Sequence, residues 1–503
     1  MSTLFTNARV FTMDASQPRA TALLVDAGRI VSVLDARPTG LSTGMTIVDL
    51  DGAAVFPGFH DCHVHLTDTG VLAGDHDFSD CRTVAEMLRR VQRLDDPLLY
   101  AGNYEEERIA EARPPTLQEL DGISPDRPVL LTRIDGHSCV ANAPALKLLD
   151  LEALEGFERD EAGKPTGKLV GQANNRAQHD VFRRLDDAAR RRADERASRI
   201  ALAAGVTTLH NVMAGDDPIE QLEAIVRWNA ELPLHVIPKS CTTDVAKVKK
   251  LGMRVFGGDI FVDGSIGSRT AAMTRDYCDR PGETGRSYLT QAQLFELFDE
   301  AAEAGTSLGV HAIGDRAIDD AISAWEQVVD KRGRLAGLRP SIDHFEVTTS
   351  DQIERAAKCG LFLSMQPTFD YLWGGAHGMY ERRLGEERAR SMNRLKSGLL
   401  AGCTICGGSD SPVTKLDALL GIHAAVNHHA SAERLSVEEA LRAFTSDAAK
   451  LAFEEDERGR LAPGMAADFV VLEKSLHEVP PQAIKDIRII TTIVSGEIRY
   501  SRK

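Results

Sequence analysis

Residues 54–66 read AVFPGFHDCHVHL: an apolar run, a Pro-Gly step, then His63 and His65 one residue apart. In a β-strand, side chains at i and i+2 point to the same face. Two imidazoles so spaced can take one metal ion from the end of a single strand. Alone the pair means little, since fifteen histidines in 503 residues give about 0.4 such pairs by chance. Its weight depends on what the other strand ends carry.

From Gly205 onward strands and helices alternate. The strand candidates are GVTTLHNV (205–212), LPLHVIPKS (232–240), GGDIFVDGS (257–265), TSLGVHAIGD (306–315), PSIDHFEV (340–347), LFLSMQPTF (361–369) and TICGGSDSPV (404–413). Helix-like stretches such as TQAQLFELFDEAAEAG and SDQIERAAKCG lie between them. With the strand ending at His65 these make eight β/α units, the pattern of an α/β (β/α)8 TIM barrel, whose chemistry sits at the C-terminal strand ends. About 67–204 is far too long for a simple βα loop and predicts a cap lobe over the barrel mouth. It carries two helical stretches (83–94 and 186–204) and the apolar strand PVLLTRID (128–135). Arg190, Arg191 and Arg192, flanked by Asp186, Asp187, Asp194 and Glu195, read as a solvated helix face.

Both ends of the chain look all-β, with LFTNARVFTM, a hairpin turn at DAGR and MTIVDLDGAAVF at one end, and ADFVVLEK and IRIITTIVSGEIRY at the other. Neither end is long enough to bury a core alone, so a composite β-sandwich is expected. The organisation expected is therefore 1–56 sandwich, 57–456 barrel with its insertion, and 457–503 sandwich.

The predicted strand ends supply His63 and His65 (strand one), His311 (five), His344 (six) and Asp410 (eight). Neutral imidazoles with a carboxylate form a site that suits Zn²⁺, with Mn²⁺ or Fe²⁺ as other occupants. A net charge of −16 argues against nucleic acid or an anionic membrane as partner. No run approaches the ~18 apolar residues of a membrane helix, and no basic-then-apolar leader opens the sequence, so the cytoplasm is expected. Eight scattered cysteines do not make a disulfide framework. Cys403 and Cys406 face opposite sides of a strand and read as core, as does Cys62.

The sequence resembles the amidohydrolase superfamily, in its amidohydrolase family 3 branch of N-substituted formamide deformylase-like proteins. The resemblance is carried along nearly the whole chain by PGFHDCHVHL, RIDGHSCVAN, GVTTLHN, FVDGSIGSRTAAM, VHAIGDRAID, SIDHFEV, SMQP, GGSDSPV and GRLAPGMAADFVVL. It implies a metal-bearing barrel with a composite sandwich, His63, His65, His311, His344 and Asp410 as ligands, and Asp410 with His344 as the catalytic pair. Asp410 would be the general base toward the attacking water.

One position departs from that pattern. The branch commonly places a lysine on strand four whose carbamate bridges two metals, and Asp259 stands there. Three readings follow: one metal, a pair bridged by Asp259, or a bridge recruited from Lys239. Because an Asp is much shorter than a carbamylated Lys, one tightly held metal is favoured, with Asp259 as hydrogen-bond partner of a ligand or its water. Lys239 reads as a rim lysine at the surface.

Around the site, Asp263, Ser265 and Arg269 of DGSIGSR, His137 of DGHS and Gln366 after strand seven are candidate substrate contacts. Arg269 has the alternative of pairing with a neighbouring carboxylate, and His137 of loop packing. Asp61 is expected to fix strand geometry, and His428 and His429 to face solvent. The activity expected is metal-dependent hydrolysis of a C–N bond in an amide, N-formyl, carbamate or cyclic-amide small molecule, with a homodimer left open. The rivals are a deaminase of amidine-type substrates and a degenerate barrel kept for binding or scaffolding.

Overall fold

The computed structural model describes residues 2–36, 44–215, 217–333 and 337–502. The fold is mixed α/β. Its centre is a set of parallel strands: β1 (Phe59–Val64), β2 (Val206–Met213), β3 (His235–Ser240), β4 (Val255–Phe261), β5 (Ser307–Ala312), β6 (Ser341–His344), β7 (Phe362–Met365) and β8 (Thr404–Gly407). β3–β2–β1 form one hydrogen-bonded ladder and β4 to β8, in chain order, another. Val64 at the end of β1 bridges in parallel to Ser411, just past β8. Every residue of β1, β2, β5 and β6 is buried. Burial on both faces is why these strands show no apolar–polar alternation.

Helices cover the strands. Gln291–Ala304 begins at a capping box, in which the Thr290 hydroxyl takes the Gln293 amide while the Gln293 side chain returns to the Thr290 amide. It packs on Asp315–Arg332 through Phe298 and Trp325, stacked with ring centres 4.4 Å apart. Among the described residues no helix is long and apolar enough to cross a membrane.

The two chain ends meet. Phe469–Leu472 pairs antiparallel with Ala54–Pro57 in a six-stranded sheet, and Thr3–Thr6, Ala22–Asp26, Arg29–Leu34 and Thr46–Asp49 make a four-stranded one. Phe5, Val25, Val55, Phe469 and Ile493 share one core between them. The DAGR turn is a hairpin, as the sequence predicts.

The segment between β1 and β2 differs from its expectation. Its helices Val84–Arg93 and Asp187–Ala203 and its strand Val129–Arg133 fall where the sequence places them. A five-stranded sheet nevertheless runs through it, with Leu99–Tyr104, Ser138–Ala141, Phe157–Arg159 and Pro165–Val170 as further strands. Cys62 and Cys406 share one small apolar cluster while Cys403 sits in the main core, in keeping with opposite faces of β8.

Candidate metal centre

Strand ends bring six side chains to one point. His63 lies in β1 and His65 one residue past it; Asp259 lies in β4, His311 in β5, His344 closes β6, and Asp410 follows β8. Asp259 Oδ1 approaches His63 Nε2 to 3.3 Å and His311 Nδ1 and His344 Nε2 to 3.6 Å each. Its Oδ2 lies 3.1 Å from His65 Nε2. Asp410 Oδ1 lies 3.1 Å from His65 Nε2 and 3.5 Å from His63 Nε2. Asp259, expected beside the centre as a hydrogen-bond partner of a ligand, has its carboxylate among all four histidines.

Each inner histidine spends one ring nitrogen on the protein and turns the other inward. His63 Nδ1 meets Asp343 Oδ2 at 2.7 Å, His344 Nδ1 meets Gln366 Oε1 at 2.9 Å, and His311 Nε2 meets the Gly264 carbonyl at 3.3 Å. The remaining nitrogens, His63 Nε2, His311 Nδ1 and His344 Nε2, are buried without a hydrogen-bond partner, as is Asp259 Oδ1. An unsatisfied buried polar atom costs about 1–3 kcal/mol, so four together need an occupant. Two groups, His63–Asp259–His344 and His63–His65–Asp410, have donor atoms within 4.8 Å of one another. A divalent cation fits this donor set.

The charges agree. Burial alone would lower the His63 imidazole, but Asp259 and Asp410 reverse this and carry it up to about 10. Burial opposes ionisation of Asp259, and the neighbouring His63 outweighs it, holding the carboxyl well below its usual range. His344 and Asp410 both adopt left-handed backbone, at φ 73° and 54°. Such conformations in non-glycine residues cost energy and cluster at functional sites.

A cavity of about 660 Å³ opens above the cluster. Ile134, Phe261, Phe369 and Trp373 wall it, and Asp135 and His137 line it too. The His137 ring lies 5.4 Å, centre to centre, from that of His311. Ser265 lines the cavity and donates to Asp135 at 2.7 Å. Asp263, Arg269 and Gln366 are not among its lining residues. Asp263 is buried and accepts the amides of Ala272, Ile313 and Gly314. Arg269 pairs with Asp279 at 2.6 Å. Asp61 accepts the Ser409 amide and so ties β1 to the loop after β8.

Three surface expectations are corrected. Lys239 is 2% exposed and its ammonium lies 3.3 Å from Asp343 of β6, not at the surface. Arg190 and Asp194 are buried too; Arg190 faces Asp217 at 3.5 Å, and Asp194 accepts from Thr67, Trp228 and Asn229. His428 is 1% exposed, its Nε2 3.6 Å from Asp370 Oδ1.

Two site residues escape the sequence reading, Asp343 and Glu346, although both flank His344 in SIDHFEV. Glu346 lines the cavity, accepts the Tyr380 hydroxyl at 2.6 Å, and is pushed up to about 7 by burial.

A metal-type donor cluster at the ends of parallel strands, at the base of a cavity, defines a hydrolase class. Residues 46–500 match the model of the amidohydrolase family. The chain belongs to that family, and it is an enzyme of C–N bond hydrolysis. It is 28% identical to a putative amidohydrolase, YtcJ, of Bacillus subtilis (strain 168), over 90% of each chain. It is 27% identical to N-substituted formamide deformylase of Arthrobacter pascens, over 99% of this chain and 98% of that one. Among solved structures, an uncharacterized metal-dependent hydrolase from Pyrococcus furiosus superposes with a TM-score of 0.75 at 27% identity, covering 96% of this chain and all of the other.

Proposed function

We propose that the protein is a cytoplasmic, Zn²⁺-dependent hydrolase that cleaves an amide, N-formyl, carbamate or cyclic-amide bond of a small molecule. In this reading the eight parallel strands close into a TIM barrel over 57–456, with 67–204 as its cap. Residues 1–56 and 457–503 together form the β-sandwich. The observation that carries it is the convergence of unpartnered buried nitrogens from His63, His311 and His344 at the base of a cavity that His65, His311, His344 and Asp410 line.

His63, His65, His311, His344 and Asp410 would hold the cation, with Asp259 beside them. The cation supplies Lewis acidity, lowering the pKa of water at the site and polarising a carbonyl. The rest falls to the chain. Asp410 is held below the usual carboxylate range, since the neighbouring His63 outweighs its burial. It is therefore ionised at neutral pH and can take the proton of an attacking water. It then returns that proton to the leaving nitrogen as the C–N bond breaks, giving an acid and an amine. His344, fixed by Gln366, faces the same space. His137 and Ser265 offer polar contacts to the substrate from the cap side, and the apolar wall takes its substituent. Asp263 and Arg269 shape the turn that carries Ser265.

Elemental analysis of the purified protein, with amine and ammonia release on a panel of N-formyl, N-acyl and cyclic amides, tests this. The expected result is bound divalent metal, lost in the His63→Ala/His65→Ala double variant, and amine release from at least one amide. Full metal occupancy in that double variant would overturn the ligand assignment.

A further inference from the structure

Glu346 is a buried acid without a cation. It is 3% exposed and lines the cavity. Two left-handed residues in succession, His344 at φ 73° and Phe345 at φ 50°, turn the chain after β6. Phe345 enters the main core, while His344 and Glu346 both line the cavity. Glu346 Oε2 accepts the Tyr380 hydroxyl at 2.6 Å, which fixes the carboxylate in one orientation. Oε1 has no hydrogen-bond partner among the described residues. The arginines that line the same cavity are engaged elsewhere: Arg133 with Glu106, Glu107 and Asp135, and Arg176 with Asp180. Asp217, another buried acid on the cavity, faces Arg190 at 3.5 Å. A buried carboxylate is stable as an anion only when it is paired, and the protein offers Glu346 only a neutral hydroxyl.

An aromatic wall leads from the metal-type cluster to this acid. The Phe369 ring lies nearly parallel to that of His344 with centres 6.0 Å apart, Trp373 follows at 5.0 Å from Phe369, and Tyr380 at 6.4 Å from Trp373. All three aromatic residues line the cavity. The Trp373 indole N–H donates to Glu105 at 3.1 Å and is not available to Glu346. Aromatic rings and a carboxylate attract one kind of partner in common, an ammonium, through cation–π contact and a charge-assisted hydrogen bond.

We propose that Glu346, with Tyr380, Trp373 and Phe369, forms a cation subsite, so that the substrate carries an ammonium with a free N–H on the apolar group beside its scissile amide. The identity of that molecule as a substrate rests on the hydrolase reading above, whereas the binding of the cation stands or falls by itself. Glu346 is then a specificity residue: Oε1 takes the ammonium N–H, Tyr380 holds the carboxylate toward it, and the rings flank the attached apolar group.

Calorimetry on the full-length protein, as purified and at pH 7, with benzylammonium and its neutral counterpart benzyl alcohol as probes, tests the subsite. The wild type is expected to bind the ammonium roughly tenfold or more tightly than the alcohol. Glu346→Gln, which still accepts the Tyr380 hydroxyl, is expected to lose that preference while keeping its affinity for the alcohol and its metal content. Tyr380→Phe, which keeps the acid but releases it, is expected to show a reduced preference; circular dichroism reports folding of both variants. Equal affinity for the two probes in the wild type would overturn the subsite. So would a preference unchanged in Glu346→Gln, which would put the amine on the metal centre or on another acid of the cavity, such as Asp68. A preference that depends on Glu346 in a protein that cleaves no amide of the panel would fell the hydrolase reading and leave the cation subsite. An amide cleaved by a protein with no preference for the ammonium would fell the subsite alone.

Discussion

His63 Nδ1 lies 2.7 Å from Asp343 Oδ2, and Lys239 Nζ reaches the same oxygen at 3.3 Å. All three side chains are buried. Burial pushes the Asp343 carboxyl up, but Lys239 and His63 outweigh it and hold it down at about 2. An ionised, immobile carboxylate at Nδ1 keeps the proton there and leaves Nε2 free to bind metal. Asp343→Asn is therefore expected to lower metal affinity roughly 10–100-fold while the fold is kept. Competition against a fluorescent chelator measures this, and an unchanged affinity would show that His63 needs no such partner.

Asp410 carries the proton in the proposed reaction, and an amide cannot. Asp410→Asn is expected to fold and to lose about 10²–10⁴-fold in kcat. Because Asp410 also lies 3.1 Å from His65, metal occupancy must be measured alongside rate. A metal-loaded Asn variant turning over at the wild-type rate would remove Asp410 from the mechanism.

The strands that bear the site are legible because they are buried on both faces and end on His or Asp, so His63, His311, His344 and Asp410 stand out locally. The cap sheet is not, because LYAGNY carries Gly and Asn within a strand and Phe157–Arg159 is only three residues long. Lys239 and Asp194 escape for a different reason. A charged side chain is expected outside, and what keeps these inside is a partner far along the chain: Asp343 for Lys239, and Thr67, Trp228 and Asn229 for Asp194. The position of Asp259 depends on a mismatch between β4 and β5, where Gly257 pairs with Gly309 and Phe261 with His311, which neither segment reveals alone.

Asp194 gives a pH-dependent prediction. Burial raises its carboxyl above the usual 3.8, and its three donors offset this only in part. Below 3.8 the group is protonated in folded and unfolded chains alike. As pH rises through the folded-state value, the unfolded chain ionises more readily and stability is lost. Asn can accept from Trp228 and Asn229 and donate to the Thr67 oxygen, without that penalty. The Tm of Asp194→Asn relative to wild type is thus expected to be more favourable at pH 7.5 than at pH 4. Thermal unfolding at the two values checks this, and a pH-independent difference would contradict it.

Asp135 ties the segment before β2 to the turn after β4. Its Oδ2 accepts the Ser265 and Ser268 hydroxyls at 2.7 and 2.9 Å and pairs with Arg133 at 2.8 Å. Arg133, 3% exposed, also holds Glu106 and Glu107 at 2.7 and 3.2 Å. Removing Asp135 therefore leaves the buried guanidinium with two carboxylates, and the loss falls on the serine turn. Two hydrogen bonds to a charged acceptor are worth roughly 3–6 kcal/mol together, part of which rehydration returns. Asp135→Ala is expected to speed amide exchange across 265–269, to raise KM more than it lowers kcat, and to leave metal content unchanged. Asp135→Asn, which keeps an acceptor, is expected to restore much of the protection. Exchange at 265–269 as slow as in the wild type would mean that the turn is held by its own hydrogen bonds, from the Ser265 amide to Thr270 and from the Ser268 amide to Ser265, and not by Asp135.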